Sequence, residues 1–253
     1  MPDFILGGAP RSGTQWLYSV AVRHPKIEMA RPLAPEPKFF LRDDLYRRGL
    51  EYYSKTWFAS IPADKLAGEK STNYLESSTA AERIRSSLPD VRLVFALRNP
   101  VDRAYSNFLW SRMNLKETED FEKALALEET RERNMTEELR YARPHALFSR
   151  GLYAELLRPY FDRFPRSQFL ILKYEDIATK PGAVAESLHR FLGVAPRPED
   201  GEAQGRLNSA RNGEDTRMNP ETRRMLAERY AEPNARLYDL LGADFEPWSD
   251  VRL

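Results

Sequence analysis

The chain contains no cysteine. That removes disulfides, thiolate-bound zinc, iron–sulfur clusters and a cysteine nucleophile together. Histidine is almost as scarce, with only His24, His145 and His189, which argues against a three-histidine metal site and a histidine-based triad. An excess of one charge is missing as well. Lys+Arg 39 against Asp+Glu 38 leaves a net charge of +1, so nucleic acid is not an expected partner, although a local anion site stays open. No apolar run approaches the ~18 residues of a membrane span, and the opening MPDFILGGAP has no basic stretch ahead of an apolar one. The expectation is a soluble, cytoplasmic chain with no stable membrane insertion. What is present is core-forming material: 42% of 253 residues are hydrophobic, with 13 Phe, 12 Tyr and 4 Trp, enough for one sizeable domain.

Short apolar runs alternate with helical patterns along the chain. Residues 3–8 read as a strand ending in Gly7-Gly8, followed by a helix with Trp16, Leu17, Val20 and Ala21 at helical spacing until His24-Pro25. A loop with Pro32, Pro35 and Pro37 leads to an aromatic helical segment over 47–58 and a short strand over 66–70. A Ser-Ser-Thr cluster opens a helix over 77–87. The clearest buried strand, 92–97, runs into Arg98-Asn99-Pro100 and a helix to about Asn114. Residues 117–140 read as a solvated helical pair broken near Asn134. Beyond them lie a helix over 152–161, a strand over 168–173, a helix over 183–192, a polar loop over 201–219 and a helix over 220–241 capped by Asn219. With no internal repeat or linker, the pattern predicts a single α/β domain over 1–253, a central mostly parallel sheet flanked by helices.

Gly8-Ala-Pro-Arg-Ser-Gly13-Thr14 has the glycine spacing of a phosphate-binding loop between a strand and a helix. Glycines let the backbone curl round an anion, N–H groups point inward, and the helix amino end adds partial positive charge. A nucleotide-hydrolysing loop of this kind requires Lys after the second glycine, and Thr14 stands there; Arg11 is the loop's only cation. Where a magnesium-binding Asp would end the next long strand, the residue is Arg98. The alternative is an ordinary tight turn. Arg98 and Ser106 form a second candidate, an Arg fork and a hydroxyl beyond a strand's carboxyl end, suited to a terminal phosphate. Its alternative is an ion pair of Arg98 with Asp102, leaving Ser106 an ordinary helix residue.

The stretches Gly8-Ala-Pro-Arg-Ser-Gly-Thr-Gln-Trp-Leu17 and Arg92-Leu-Val-Phe-Ala-Leu-Arg-Asn-Pro-Val-Asp-Arg-Ala-Tyr-Ser106 resemble the 5′-phosphosulfate and 3′-phosphate motifs of sulfotransferases that use 3′-phosphoadenosine-5′-phosphosulfate (PAPS). Glu36-Pro-Lys-Phe-Phe40, Glu69-Lys-Ser-Thr-Asn-Tyr74, Arg150-Gly-Leu-Tyr153, Phe164-Pro165 and the pattern over 223–248 are similar to the branch with the heparan-sulfate N- and 3-O-sulfotransferases. The resemblance implies a P-loop-nucleotide-kinase-like sulfotransferase fold, PAPS as donor and no metal. It also implies Glu36 as catalytic base, with Lys70 and Arg11 facing the transferring group. Arg11, Ser12, Gly13, Thr14 and Gln15 would hold the 5′-phosphate, and Arg98 and Ser106 the 3′-phosphate. Arg211 and Asn212 would lie in the loop covering the cofactor. The acceptor is a small-molecule, glycan or lipid-type hydroxyl or amine.

The chain departs from the family in several places. Arg11 replaces the loop lysine, Lys38 stands where a histidine often follows the base, and the secreted relatives' cysteine pair and membrane anchor are absent. Two other readings stay open: a small-molecule kinase and a non-catalytic adenosine bisphosphate-binding module. Taken alone, Glu36 could be a solvated loop acid, Lys70 a strand-end partner of Glu69, Phe39, Phe40 and Tyr74 core residues, and His145 a packing histidine.

Overall fold

The computed structural model describes residues 1–32, 34–137, 139–202 and 218–248. In chain order they form β1 (Phe4–Gly8), α1 (Thr14–Arg23), β2 (Ile27–Met29), α2 (Asp43–Tyr46), α3 (Gly49–Trp57), β3 (Leu66–Lys70), α4 (Ser78–Ser87) and β4 (Arg92–Leu97). Then come α5 (Pro100–Met113), α6 (Phe121–Arg133), α7 (Tyr153–Phe161), β5 (Phe169–Lys173), α8 (Tyr174–Thr179), α9 (Pro181–Leu192), α10 (Glu199–Glu202) and α11 (Pro220–Leu241). They pack as two compact units. One comprises Met1–Leu97 and the described part of Leu157–Leu207, the other Arg98–Leu156 and the described part of Asn208–Leu253.

The first unit is built on a five-stranded sheet in the order β2-β3-β1-β4-β5, with every pairing parallel. The α/β class and parallel sheet are those expected from the alternation of apolar runs and helices. All five residues of β1 are buried, which is why its sequence reads as an unbroken apolar run rather than an alternating one. The stripe Trp16, Leu17, Val20 and Ala21 on α1 packs in one core with Val184, Ala185 and Leu188 of α9. Ser77 caps α4, its Oγ accepting from the Ala80 N–H at 3.0 Å. The three-residue edge strand β2 is too short to show a period, and the sequence does not betray it. Because β3 and β4 flank β1, the connection between them crosses it. The carboxyl end of β1 is therefore the topological switch point where α/β sheets take ligands.

Two histidines are buried in this unit with rings 4.7 Å apart, His24 at the end of α1 and His189 on α9. His189 Nδ1 accepts from the Arg197 N–H at 3.2 Å, and Nε2 lies 3.9 Å from Asp200. Burial, reinforced by His24, pushes His189 down to about 4 from its ordinary 6.5. The unfolded chain thus binds the extra proton between pH 6.5 and 4, and stability is lost as pH falls through that window. Fully developed, the shift is worth about 3 kcal/mol. Denaturant titrations at pH 7 and pH 4 should show a loss of this order that His189→Asn, which keeps an acceptor near Nδ1, largely removes. An equal loss in the variant would exclude His189 as its source.

In the second unit, Asn99 Oδ1 caps α5 by accepting from the Val101 N–H at 3.0 Å, with Pro100 as first helical residue. Val101, Ala104 and Phe108 pack with Phe121 of α6 and with Leu226 and Tyr230 of α11. Over 117–140 the structure corrects the expectation. The described residues hold one helix there, α6, ending at Arg133 with Asn134 as its C-cap, and no second helix. Nor is the segment simply solvated. Glu128 is buried and accepts from the backbone N–H groups of Phe148 and Ser149 at 2.6 and 2.9 Å. Its charge is used to tie down irregular chain, which the local pattern of charges does not reveal.

Candidate active site

Beyond β1 the chain turns tightly into α1. The Ala9 N–H donates to Ala96 O at 2.9 Å, and the Ser12 N–H closes the turn on Ala9 O at 3.3 Å. Gly13 is left-handed at φ 84, and a Cβ there would lie 2.7 Å from Ile177 Cδ1. Both conditions require glycine. Arg11 is left-handed too, at φ 67, a conformation that costs a non-glycine residue about 1–2 kcal/mol and that persists where surroundings over-determine it. Ser12 is fully buried, and its Oγ has no hydrogen-bond partner among the described residues. Thr14 opens α1, whose first turn carries no acidic side chain to neutralise the helix amino end. An orphaned buried hydroxyl beside unpaired first-turn amides fits a bound oxyanion.

The turn lies against a second cluster. A Cβ on Gly8 would stand 2.8 Å from Leu75 Cβ and 3.0 Å from Thr72 O, so glycine lets segment 72–75 approach. Thr72 in turn holds Glu36. The Thr72 N–H donates to Glu36 Oε2 at 3.2 Å and its hydroxyl lies 3.2 Å from the same oxygen, while Lys70 Nζ donates to Oε1 at 2.7 Å. The side chains of Glu36 and Lys70 are 17% and 10% exposed, so the pair is shielded yet reachable. Glu36 is therefore not a solvated loop acid, and Lys70 does not pair with Glu69. The Glu69 carboxylate is fully buried, accepting from Tyr53 OH and from Ser71 Oγ. Phe39, Phe40 and Tyr74 are all fully buried, as their core reading has it. Thr72 is the functional contact that sequence reasoning passed over. It lies inside the segment quoted for its lysine, and that proximity was the available signal.

Arg98 follows the last residue of β4, and its carbonyl accepts from Tyr153 OH at 2.9 Å. Asp102 pairs with Arg223 at 2.6 Å. Ser106 is half-buried on α5. Arg211 and Asn212 lie outside the described residues. His145 packs with Nδ1 3.4 Å from Glu117, a buried carboxylate that also holds Arg131 at 2.6 Å. Among the described residues no cluster of three His, Asp or Glu could hold a metal ion, and no helix is long and apolar enough to cross a membrane.

A parallel sheet with an anion-ready turn at its switch point and a Glu–Lys pair beside it meets a direct match. The sulfotransferase domain model covers residues 1–225. The chain belongs to the sulfotransferase family. Human bifunctional heparan sulfate N-deacetylase/N-sulfotransferase 3 is 30% identical over 211 residues, 80% of this chain but 23% of the relative. The chain thus spans under a quarter of that relative's length. Human heparan sulfate glucosamine 3-O-sulfotransferase 6 is 27% identical over 267 residues, covering 96% of this chain and 73% of the relative. A sulfotransferase from Alicyclobacillus acidocaldarius has a similar crystal structure, with a TM-score of 0.77, 29% identity and coverage of 95% and 96% of the two chains. The two human relatives fall in the N- and 3-O-branch expected from the short motifs.

Proposed function

We propose that this chain moves a sulfonate from PAPS to a hydroxyl or amine of a small-molecule, glycan or lipid-type acceptor, in one catalytic domain running over 1–253, with Glu36 as general base. The 2.7 Å contact of Glu36 with Lys70, beside the turn that ends β1, carries this reading. Bound PAPS supplies an activated sulfonate on a phosphate leaving group. The orphaned Ser12 hydroxyl supports its 5′-phosphate at the turn, with the amides of Gly13, Thr14 and Gln15, the Thr14 hydroxyl and Arg11 as further donors. Arg98 and Ser106 hold the 3′-phosphate.

A carboxylate offers about four acceptor positions. Lys70 Nζ and the Thr72 N–H and hydroxyl engage Glu36 through three donor groups. One position is left to accept the proton of the incoming hydroxyl or amine. Lys70 has further N–H groups to aim at charge developing on the transferring oxygens, where fixed donors contribute most. The side chains supply positioning and charge, so the chemistry calls for no metal.

Calorimetry tests the nucleotide assignment. Adenosine 3′,5′-bisphosphate should bind about 10–10²-fold more tightly than 5′-AMP, the worth of one or two charge-assisted hydrogen bonds. Equal affinities would remove the roles given to Arg98 and Ser106. Preference for ATP with Mg²⁺ would favour a kinase instead.

A further inference from the structure

We propose that Glu69 is a positioning residue for the base. Its carboxylate, through the relaying hydroxyl of Ser71, fixes the backbone of the loop that carries Glu36. This inference rests on the role given to Glu36 above.

Glu69 is fully buried near the end of β3, and no ion pair among the described residues involves it. Its partners are hydroxyls: Tyr53 OH, and Ser71 Oγ at 2.6 Å. Burial raises its pKa, these hydroxyl donors lower it, and the nearby Glu36 charge adds to the rise. A buried carboxyl without a cation is a costly way to fill a core, and an apolar group of similar size would commonly serve stability as well or better. What the carboxyl adds is polarity. A serine or tyrosine hydroxyl has one proton. With that proton committed to Glu69, each oxygen is left as an acceptor for something else.

The Ser71 acceptor is used on the Glu36 loop. Ser71 Oγ accepts from the Lys38 N–H at 2.9 Å, while the Phe40 N–H is held separately by Tyr74 OH at 3.2 Å. Lys38 is in the left-handed region at φ 48, a strained state for a side-chain-bearing residue that needs outside support. Two residues earlier in the chain is Glu36, on the segment that must meet Lys70 and Thr72. The same strand end therefore holds the base twice. Lys70 and Thr72 grip its carboxylate, and Glu69 grips the Lys38 peptide group just beyond it through Ser71. Glutamine at 69 could donate its own N–H to either hydroxyl. That frees a hydroxyl proton to point elsewhere and weakens the acceptor facing the loop.

The test compares Glu69→Gln and Ser71→Ala with Tyr53→Phe, which also deprives Glu69 of a hydrogen bond but leaves the Ser71 relay intact. Amide hydrogen exchange at Lys38 and Phe40 and steady-state kinetics with PAPS are measured on the full chain, with melting temperatures as a fold control. Glu69→Gln and Ser71→Ala should each speed exchange at Lys38, with Phe40, held by Tyr74 OH, as the reference amide. Each should lower kcat about 10–10²-fold, the cost of misplacing a reacting group by about 1 Å, with the KM for PAPS unchanged. Tyr53→Phe should lower the melting temperature without these effects. Unchanged exchange in Glu69→Gln, or a kcat loss in Tyr53→Phe as large as in Glu69→Gln, overturns the positioning role. Absence of any transfer by the unaltered chain instead overturns the proposed function, while exchange still reports whether Glu69 anchors the loop.

Discussion

Glu36→Gln is expected to lower sulfonate transfer by about 10²–10⁴-fold, the range of a lost general base, with affinity for adenosine 3′,5′-bisphosphate nearly unchanged. The substitution is close to isosteric. The amide oxygen can still accept from Lys70 or Thr72, which donate to Glu36 at 2.7 and 3.2 Å, so the loop keeps most of its anchorage. What glutamine cannot do is take a proton from the acceptor. None of the nucleotide-binding roles falls to Glu36, so calorimetry and a labelled-PAPS transfer assay separate binding from chemistry. Transfer retained at the original rate would refute the base assignment, whereas a purely nucleotide-sensing module predicts nucleotide binding with no transfer in either form.

Lys70→Met should cost about 10²–10³-fold in kcat, comparable to removing one donor from a preorganised anion-stabilising site. Methionine preserves much of the length and the apolar stem of lysine while deleting the ammonium. The site loses the cation for the transferring group, and Glu36 loses its closest donor. Because the two side chains act as a unit, the double variant Glu36→Gln/Lys70→Met should be little worse than the poorer single variant. Multiplicative losses in single-turnover measurements would show that the 2.7 Å contact has no part in the chemistry.

The two variants probe a pair whose members are 34 residues apart in the chain. Their identities were readable because each sits in a short motif similar to the family's. Their contact was not. Nothing local distinguishes a lysine that pairs with its neighbour Glu69 from one that reaches Glu36, since adjacent strand residues point to opposite faces and only the fold says what each face meets. The same holds for Asp102, whose spacing from Arg98 suits a helical ion pair and whose Oδ1 meets Arg223 from distant α11. Charge runs mislead for a related reason. Within 117–140, Glu117 and Glu128 are buried because irregular chain supplies donors to them, and that chain has no period to read.

By itself, the sequence determined the parallel α/β architecture, most helix starts and the glycine turn. Those features are set locally, by apolar runs, capping residues such as Ser77 and Asn99, and positions where only glycine adopts the backbone. Tertiary structure alone decided that Thr72 seats Glu36, that Ser12 keeps a buried hydroxyl unpartnered among the described residues, and that Glu69 reaches the Glu36 loop through Ser71. Each depends on distant segments meeting at one end of a sheet. Hydrogen bonds over such separations leave no trace in spacing or composition.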